Sequence, residues 1–268
     1  MKIDIRLILL MVFLYPMSVF SETSDDGYKL VWSEEFNGDA VDTTIWNFEN
    51  GYKRNHEWQY YQKENARVAD GMLTITARRE SGRGKIECTS ASINTAGHKE
   101  FLYGRFVVRA RIPYARGAWP AIWTLGSKWA WPSCGEIDMM EFYHKDGVPC
   151  ILANVACGTD RPYAARWNSV AKPYDHFLQK DKYWSDKFHI WRMDWDKNSI
   201  RLYLDDELLN EVFLKDTRNG KLGDSQNPFN TPQYILLNLA VGGDNGGEVD
   251  MDALPMKYDV DYVRIYQK

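Results

Sequence analysis

Gly135-Glu136-Ile137-Asp138-Met139-Met140-Glu141-Phe142 sets three acids among bulky apolar side chains, and the reading of this segment decides the fold. Successive side chains of a strand point to opposite faces, so Glu136 and Asp138 share one face and Ile137 and Met139 the other. Glu141 breaks the alternation. It rejoins the acidic face only if a β-bulge absorbs Met139 or Met140, a device common beside active sites because it re-aims a side chain. A bulge is therefore expected here.

Retaining hydrolysis of a glycosidic bond needs two carboxyl groups about 5 to 5.5 Å apart, one attacking the anomeric carbon and one protonating the leaving oxygen. Strand positions four steps apart lie about 13 Å from one another at Cα, and two glutamates leaning inward close much of that gap. Asp138, between them, would share a proton with the nucleophile and help keep a nearby acid protonated. Taken alone, the hexapeptide reads first as an amphipathic strand with solvated acids. The upstream flank, GAWPAIWTLGSKWAWPSC, reverses that reading, because its tryptophans suit stacking on sugar rings. Trp119 and Trp123 fall on one strand face, so one or both can be core. Trp119 and Trp131 are preferred over Trp123 and Trp129 as sugar contacts.

Residues 1–21 carry Lys2 and Arg6, an apolar run from Leu7 to Tyr15, then Pro16 and the small residues Ser18 and Ser21, the pattern of a cleaved secretory signal. The run is too short to span a bilayer and no cysteine follows it directly, so an exported chain without membrane anchor, periplasmic or extracellular, is expected over 22–268. Net charge is −4 for the whole sequence, which argues against a nucleic-acid partner. No linker, low-complexity tract or repeat divides the chain, and one domain, monomeric, is the economical expectation. In an oxidising compartment Cys88, Cys134, Cys150 and Cys157 allow three complete pairings, with free buried thiols the alternative. Cys150 and Cys157 stand too far apart to pair if Ile151 to Ala156 is extended. No CxxC or HExxH spacing supports zinc.

Alternating or β-branched runs recur at 28–32, 72–78, 105–112, 121–125, 136–143, 188–195, 199–204, 234–241 and 260–266, and helical periodicity is nearly absent. Asp70-Gly71, Asp196-Lys197-Asn198-Ser199, Asp205-Asp206 and the glycines of 242–247 supply turns. The class is all-β, a sandwich or barrel. Two long segments, 158–183 and 215–231, read as irregular cleft walls; in the first, Arg161, Arg166 and Trp167 are sugar-contact candidates set against surface packing. His189, within FHIWRMDW, reads as a packed strand residue.

With these motifs in order, the chain resembles the family 16 glycoside hydrolases, most closely their laminarinase-like branch. GEIDMME matches the branch's bulged E-x-D-x-x-E strand, and SEEFNG, NHEWQYY, YGRFVVRARIP, GAWPAIWTLG, FHIWRMDWD and LLNLAVGG follow the family's order over nearly the whole mature chain. The resemblance implies a β-jelly-roll of two antiparallel sheets with a substrate cleft on the concave face. It also implies endo-acting, retaining hydrolysis of β-linked polysaccharide without a cofactor. Glu136 would be the nucleophile, Asp138 its assistant and Glu141 the general acid and base. Trp119 and Trp131 would line the glycone side, with Asn50 at a sugar-binding position. Many members hold a structural calcium, for which Glu35, Gly71 and Asp261 match, and oxygen donors suit that ion.

Two positions depart from the branch. ILANVACG leaves Asn154 and Ala156 where relatives usually carry a histidine near the cleft, and Asn154 becomes a substrate-contact candidate. Ser92 stands where an arginine is frequent. The expected substrate is β-1,3-glucan or mixed-linkage glucan. The alternative is endo-β-1,4-galactosidase action on lactosamine-type chains (mucin, keratan) or another β-galactan, because axial and equatorial hydroxyls demand different partners. A lectin-like module and a transglycosylase are the competing functions on the same fold.

Overall fold

The computed structural model describes residues 26–81 and 88–268; the expected leader at 1–21 lies outside them. All nine runs named above fold as strands, with modest shifts at their ends. They assemble as a two-layer sandwich.

Among the described residues the first sheet has ten strands. Its order is Glu207–Phe213, Ser199–Leu204, His189–Trp195, Gly104–Arg111, Met256–Gln267, Met72–Arg79, Cys88–Ser90 and Tyr60–Tyr61. Lys29–Glu34 pairs with Met256–Gln267, and Ala66–Ala69 pairs with Met72–Arg79. The second sheet has eight. Its order is Ala165–Pro173, Val148–Gly158, Glu136–Lys145, Ala118–Gly126, Gln233–Val241, Ser92–Asn94 and Asn47–Phe48, with Glu100–Phe101 also on Gln233–Val241. Pairing is antiparallel throughout except for Tyr60–Tyr61 beside Cys88–Ser90. One apolar cluster fills the space between the layers: Phe106, Val108, Trp191, Met193 and Val263 from the first sheet face Ile122, Ile137, Met139, Phe142 and Leu237 from the second. Burying such side chains contributes on the order of 1.5–3 kcal/mol each, which is what holds two sheets face to face.

Segment 158–183 departs from expectation. Rather than running irregularly, it contains the strand Ala165–Pro173, paired along its whole length with Val148–Gly158. As an edge strand with one neighbour it needs no apolar alternation, and its Arg166, Asn168, Ser169 and Lys172 are what an unpaired edge carries to discourage further pairing. Segment 215–231 is irregular, held by short 3₁₀ turns.

All four cysteines are buried and free, and burial pushes the thiols of Cys88 and Cys134 up to about 12. Cys150 and Cys157 lie near opposite ends of the same strand. His189 packs as expected, stacked on Trp184 at 3.9 Å and bonded to Asp205.

The calcium positions converge on one stretch of the ten-stranded sheet. Glu35 follows Lys29–Glu34, Gly71 turns between Ala66–Ala69 and Met72–Arg79, and Asp261 sits at a register shift in Met256–Gln267. Their side chains do not fit the ion as they are disposed. Both Glu35 oxygens accept from Arg264 at 2.9 Å, and Asp261 is paired with Arg109. Calcium would have to displace two guanidinium groups or bind through backbone carbonyls alone.

Candidate active site

The bulge expected from the sequence is present. Against Ala118–Gly126, Trp123 pairs with Asp138 and Ile122 with Met140, leaving Met139 without a partner; against Val148–Gly158 the register shifts between Asp138 and Glu141. Met139 and Met140 both enter the core, at 1% and 0% exposure, which returns Glu141 to the face of Glu136 and Asp138. Gly135 starts the strand with φ +79°, and a Cβ there would come within 2.8 Å of Pro228, so only glycine lets the preceding loop close over the segment 215–231.

The three acids line a cleft of about 760 Å³ on the outer face of the eight-stranded sheet. The two glutamates are gripped by donors from neighbouring segments, while Asp138 Oδ2 is buried without a partner. Trp119 Nε1 donates to Glu141 Oε1 at 2.7 Å, and Asn154 Nδ2 donates to Glu141 Oε2 at 2.8 Å. Trp131 Nε1 donates to Glu136. Asp138, 2% exposed, lies between the other two and opposite Asn154 on the next strand.

Electrostatics separate the three groups. Asp138 is held well above the usual carboxylate range by burial first and then by the charges of Glu141 and Glu136. Protonated, it donates to Glu136. Glu136 is raised by burial, but the Trp131 indole, the bond from Asp138 and the charge of Arg54 oppose that rise. Glu141 is pushed up to about 7, mainly by burial, with Glu136 adding repulsion while the Trp119 and Asn154 bonds hold it down. An ionised Glu136 beside a protonated Glu141 is the resting arrangement this favours near neutrality. It supplies a nucleophile and a proton donor on one face.

Of the sequence candidates, Glu136, Asp138, Glu141, Trp119, Trp131 and Asn154 all line the cleft. Trp123 joins them, on the same strand face as Trp119, its Nε1 donating to Asn238 at 2.7 Å. Trp167 also lines it, 46% exposed. Trp129 does not. Its Nε1 donates to Asp224 at 2.9 Å and pins a loop. Arg166 is tied to Arg218 O and Cys157, away from the cleft, Arg161 is exposed, and Asn50 is exposed and outside the lining. Asn154 proves to be a partner of Glu141 before it is a sugar contact.

Sequence reasoning missed Arg54. Its guanidinium lies 5.3 Å from the Trp123 ring and pairs with Glu49, which also accepts from Ser92 Oγ at 2.6 Å. A cation thus stands at the wall where Ser92 was expected to leave none, brought by the segment before Tyr60–Tyr61. Nothing in the local pattern of GYKRNHEW marks it; only the fold brings it beside Ser92. Asn238, Tyr143, Glu57 and Asp244 are also part of the lining and were likewise unmarked.

Comparison with known proteins agrees with this geometry. The family model for glycosyl hydrolases family 16 matches residues 52–264. A β-glucanase of Rhodothermus marinus is 37% identical over 275 residues, covering 92% of this chain and 88% of the relative. The laminarinase structure from Rhodothermus marinus matches at TM-score 0.75 and 36% identity, covering 90% of this chain and 97% of that one. A structure described with the endo-acting O-glycanases that prominent members of the human gut microbiota express to initiate mucin breakdown matches at TM-score 0.78 and 34% identity, covering 91% of this chain and 92% of that one. Other curated relatives are longer, and the chain spans 38% of one and 34% of another. An acid-lined cleft on a two-sheet jelly-roll, together with these matches, places the chain in glycoside hydrolase family 16 as an endo-acting enzyme.

Proposed function

We propose that the chain is an exported, monomeric, single-domain retaining endo-β-glycosidase that cuts internal linkages of β-1,3-glucan, including mixed-linkage glucan. Glu136 attacks the anomeric carbon while Glu141 protonates the leaving oxygen; the glycosyl group is held on Glu136, and Glu141 then takes a proton from the water that releases it. Asp138, protonated, donates to Glu136 and limits the build-up of negative charge between the two glutamates. The observation that carries the reading is the gathering of three carboxyls on one cleft face by a bulged strand, with Glu136 and Glu141 each held by an indole N–H. Two carboxyls suffice for this chemistry without a cofactor. The glucan substrate is supported by the names of the glucanase and laminarinase relatives, and export by the leader pattern of residues 1–21.

A second reading, cleavage of a β-galactan or a lactosamine-type chain, draws on Asn154 and Ala156 standing where the family branch usually carries a histidine, and on the O-glycanase likeness. A product panel separates the two. Laminarin and mixed-linkage glucan should release reducing ends faster than mucin or keratan sulfate, and early product should be the β-anomer by NMR. Cleavage of the mucin-type chains alone transfers the assignment to the second reading, and an α-anomer appearing first removes the retaining mechanism.

A further inference from the structure

We propose that Trp167 is the platform of a sugar subsite on the flank of the cleft opposite Trp119 and Trp123, taking the ring on the leaving-group side of the scissile bond. Cross-strand register builds this site. Trp167 pairs with Ala156 and Ala156 with Glu136, so the three stand in one row on one face of the sheet. Neighbouring strands lie about 4.8 Å apart, which places the Trp167 backbone about 10 Å from that of Glu136 with only a methyl group between them. Ala156 itself is buried, and Trp167 is the side chain of this row, besides Glu136, that lines the cleft.

The strand that carries Trp167 is fixed from its other face. Arg166 Nη2 donates to Arg218 O at 2.6 Å and to Cys157 Sγ at 3.2 Å, and Asn168 Oδ1 accepts from Asn210 at 3.1 Å. These anchors alternate with Trp167 and Ser169, which both line the cleft. Trp167 keeps 46% of its surface exposed, and no ring or cation among the described residues stacks on it. A rigidly mounted, uncovered indole two strands from the nucleophile is suited to the C–H face of a sugar, which stacks on an aromatic ring as other apolar faces do. Continuity with the catalytic row names the occupant: a chain crossing the strands from Trp123 past Glu136 meets Trp167, the next cleft-lining side chain of that row. The leaving-group assignment rests on the reading of Trp119 as glycone-side.

Trp167→Ala and Trp167→Phe are compared with the wild type on the polymer that the wild type cleaves fastest. A nitrophenyl β-glycoside of the matching disaccharide serves as second substrate, its aryl group replacing the sugar that Trp167 holds. For Trp167→Ala the ratio of kcat/KM on polymer to kcat/KM on the aryl donor should fall about tenfold, chiefly through KM, with Trp167→Phe in between. Equal losses on both substrates, or no loss on either, overturn the subsite. A wild type that cleaves no polymer in the panel defeats the proposed substrate instead. The subsite is then judged by calorimetric titration with laminarin and mucin oligosaccharides, where about tenfold weaker binding to Trp167→Ala supports it and equal affinity overturns it.

Discussion

The two sheets treat their acids in opposite ways. On the ten-stranded sheet carboxylates are matched to arginines: Glu35 with Arg264, Asp194 with Arg105 and Arg192, Asp259 with Arg111. Glu35 is accordingly held below the usual carboxylate range by its bonds from Arg264. On the eight-stranded sheet three acids share one strand, and the nearby cation Arg54 opposes the rise of Glu136. Burial therefore raises all three. A fold under selection for stability alone would pair or remove such groups, since an uncompensated buried carboxyl costs several kcal/mol. The contrast separates charge that supports the structure from charge kept for chemistry.

The sharpest way to break this contrast is to neutralise the unpaired acids. Glu136→Gln should lower kcat by at least about 10³-fold while leaving oligosaccharide binding measurable by calorimetry. A variant that retains more than a tenth of wild-type turnover would move the nucleophile elsewhere. Next in size is the effect of pH. Activity should fall as pH rises through about 7, where Glu141 loses the proton that the leaving oxygen needs. The same shift has a stability sign. Glu141 ionises near 4.5 in the unfolded chain and near 7 in the folded one, so its contribution is full below 4.5 and is lost as pH rises through 7. Glu141→Gln should consequently be more stable than the wild type at pH 8, by about 1 to 3 kcal/mol in urea unfolding, although nearly inactive. Equal stability at that pH would mean that the site is better solvated than its geometry indicates.

The smallest effect tests the paired sheet. With Glu35 and Asp261 already matched to arginines, adding calcium or a chelator should move Tm by no more than about 2 °C. A rise well beyond that on adding calcium would show the guanidinium groups yielding to the ion and restore the site implied by the family resemblance.

How far the sequence could be read follows from the same division. Strands of the ten-stranded sheet such as Gly104–Arg111 and Met72–Arg79 alternate between buried and half-exposed residues, because one face meets water, and their period of two is visible directly. Val148–Gly158 is buried on both faces for most of its length, so it has no alternation to show and does not stand among the alternating runs of the sequence. Ala165–Pro173 reads as a loop in sequence because an edge strand carrying Arg166, Asn168 and Lys172 lacks the apolar signature altogether. The acids of the site were legible because covalent spacing fixes them on one strand. Arg54 and Asn238 were not, since their positions relative to Glu136 are set by strand pairings between distant segments that no local pattern records.

The surplus methionine at position 139 carries a lesson about parity. A strand one residue shorter would present Glu, Asp and Glu by plain alternation, so the extra residue is not what gathers the acids. It makes the number of residues between the outer two even, and in doing so inserts a second sulfur-bearing side chain beneath the reaction floor. Polarisable, unbranched thioethers fill an uneven void without forcing neighbours off their rotamers. The kink that re-aims one carboxylate is thus underpinned by soft, adaptable filler, and the tolerance of that filler sets how finely the aim is held.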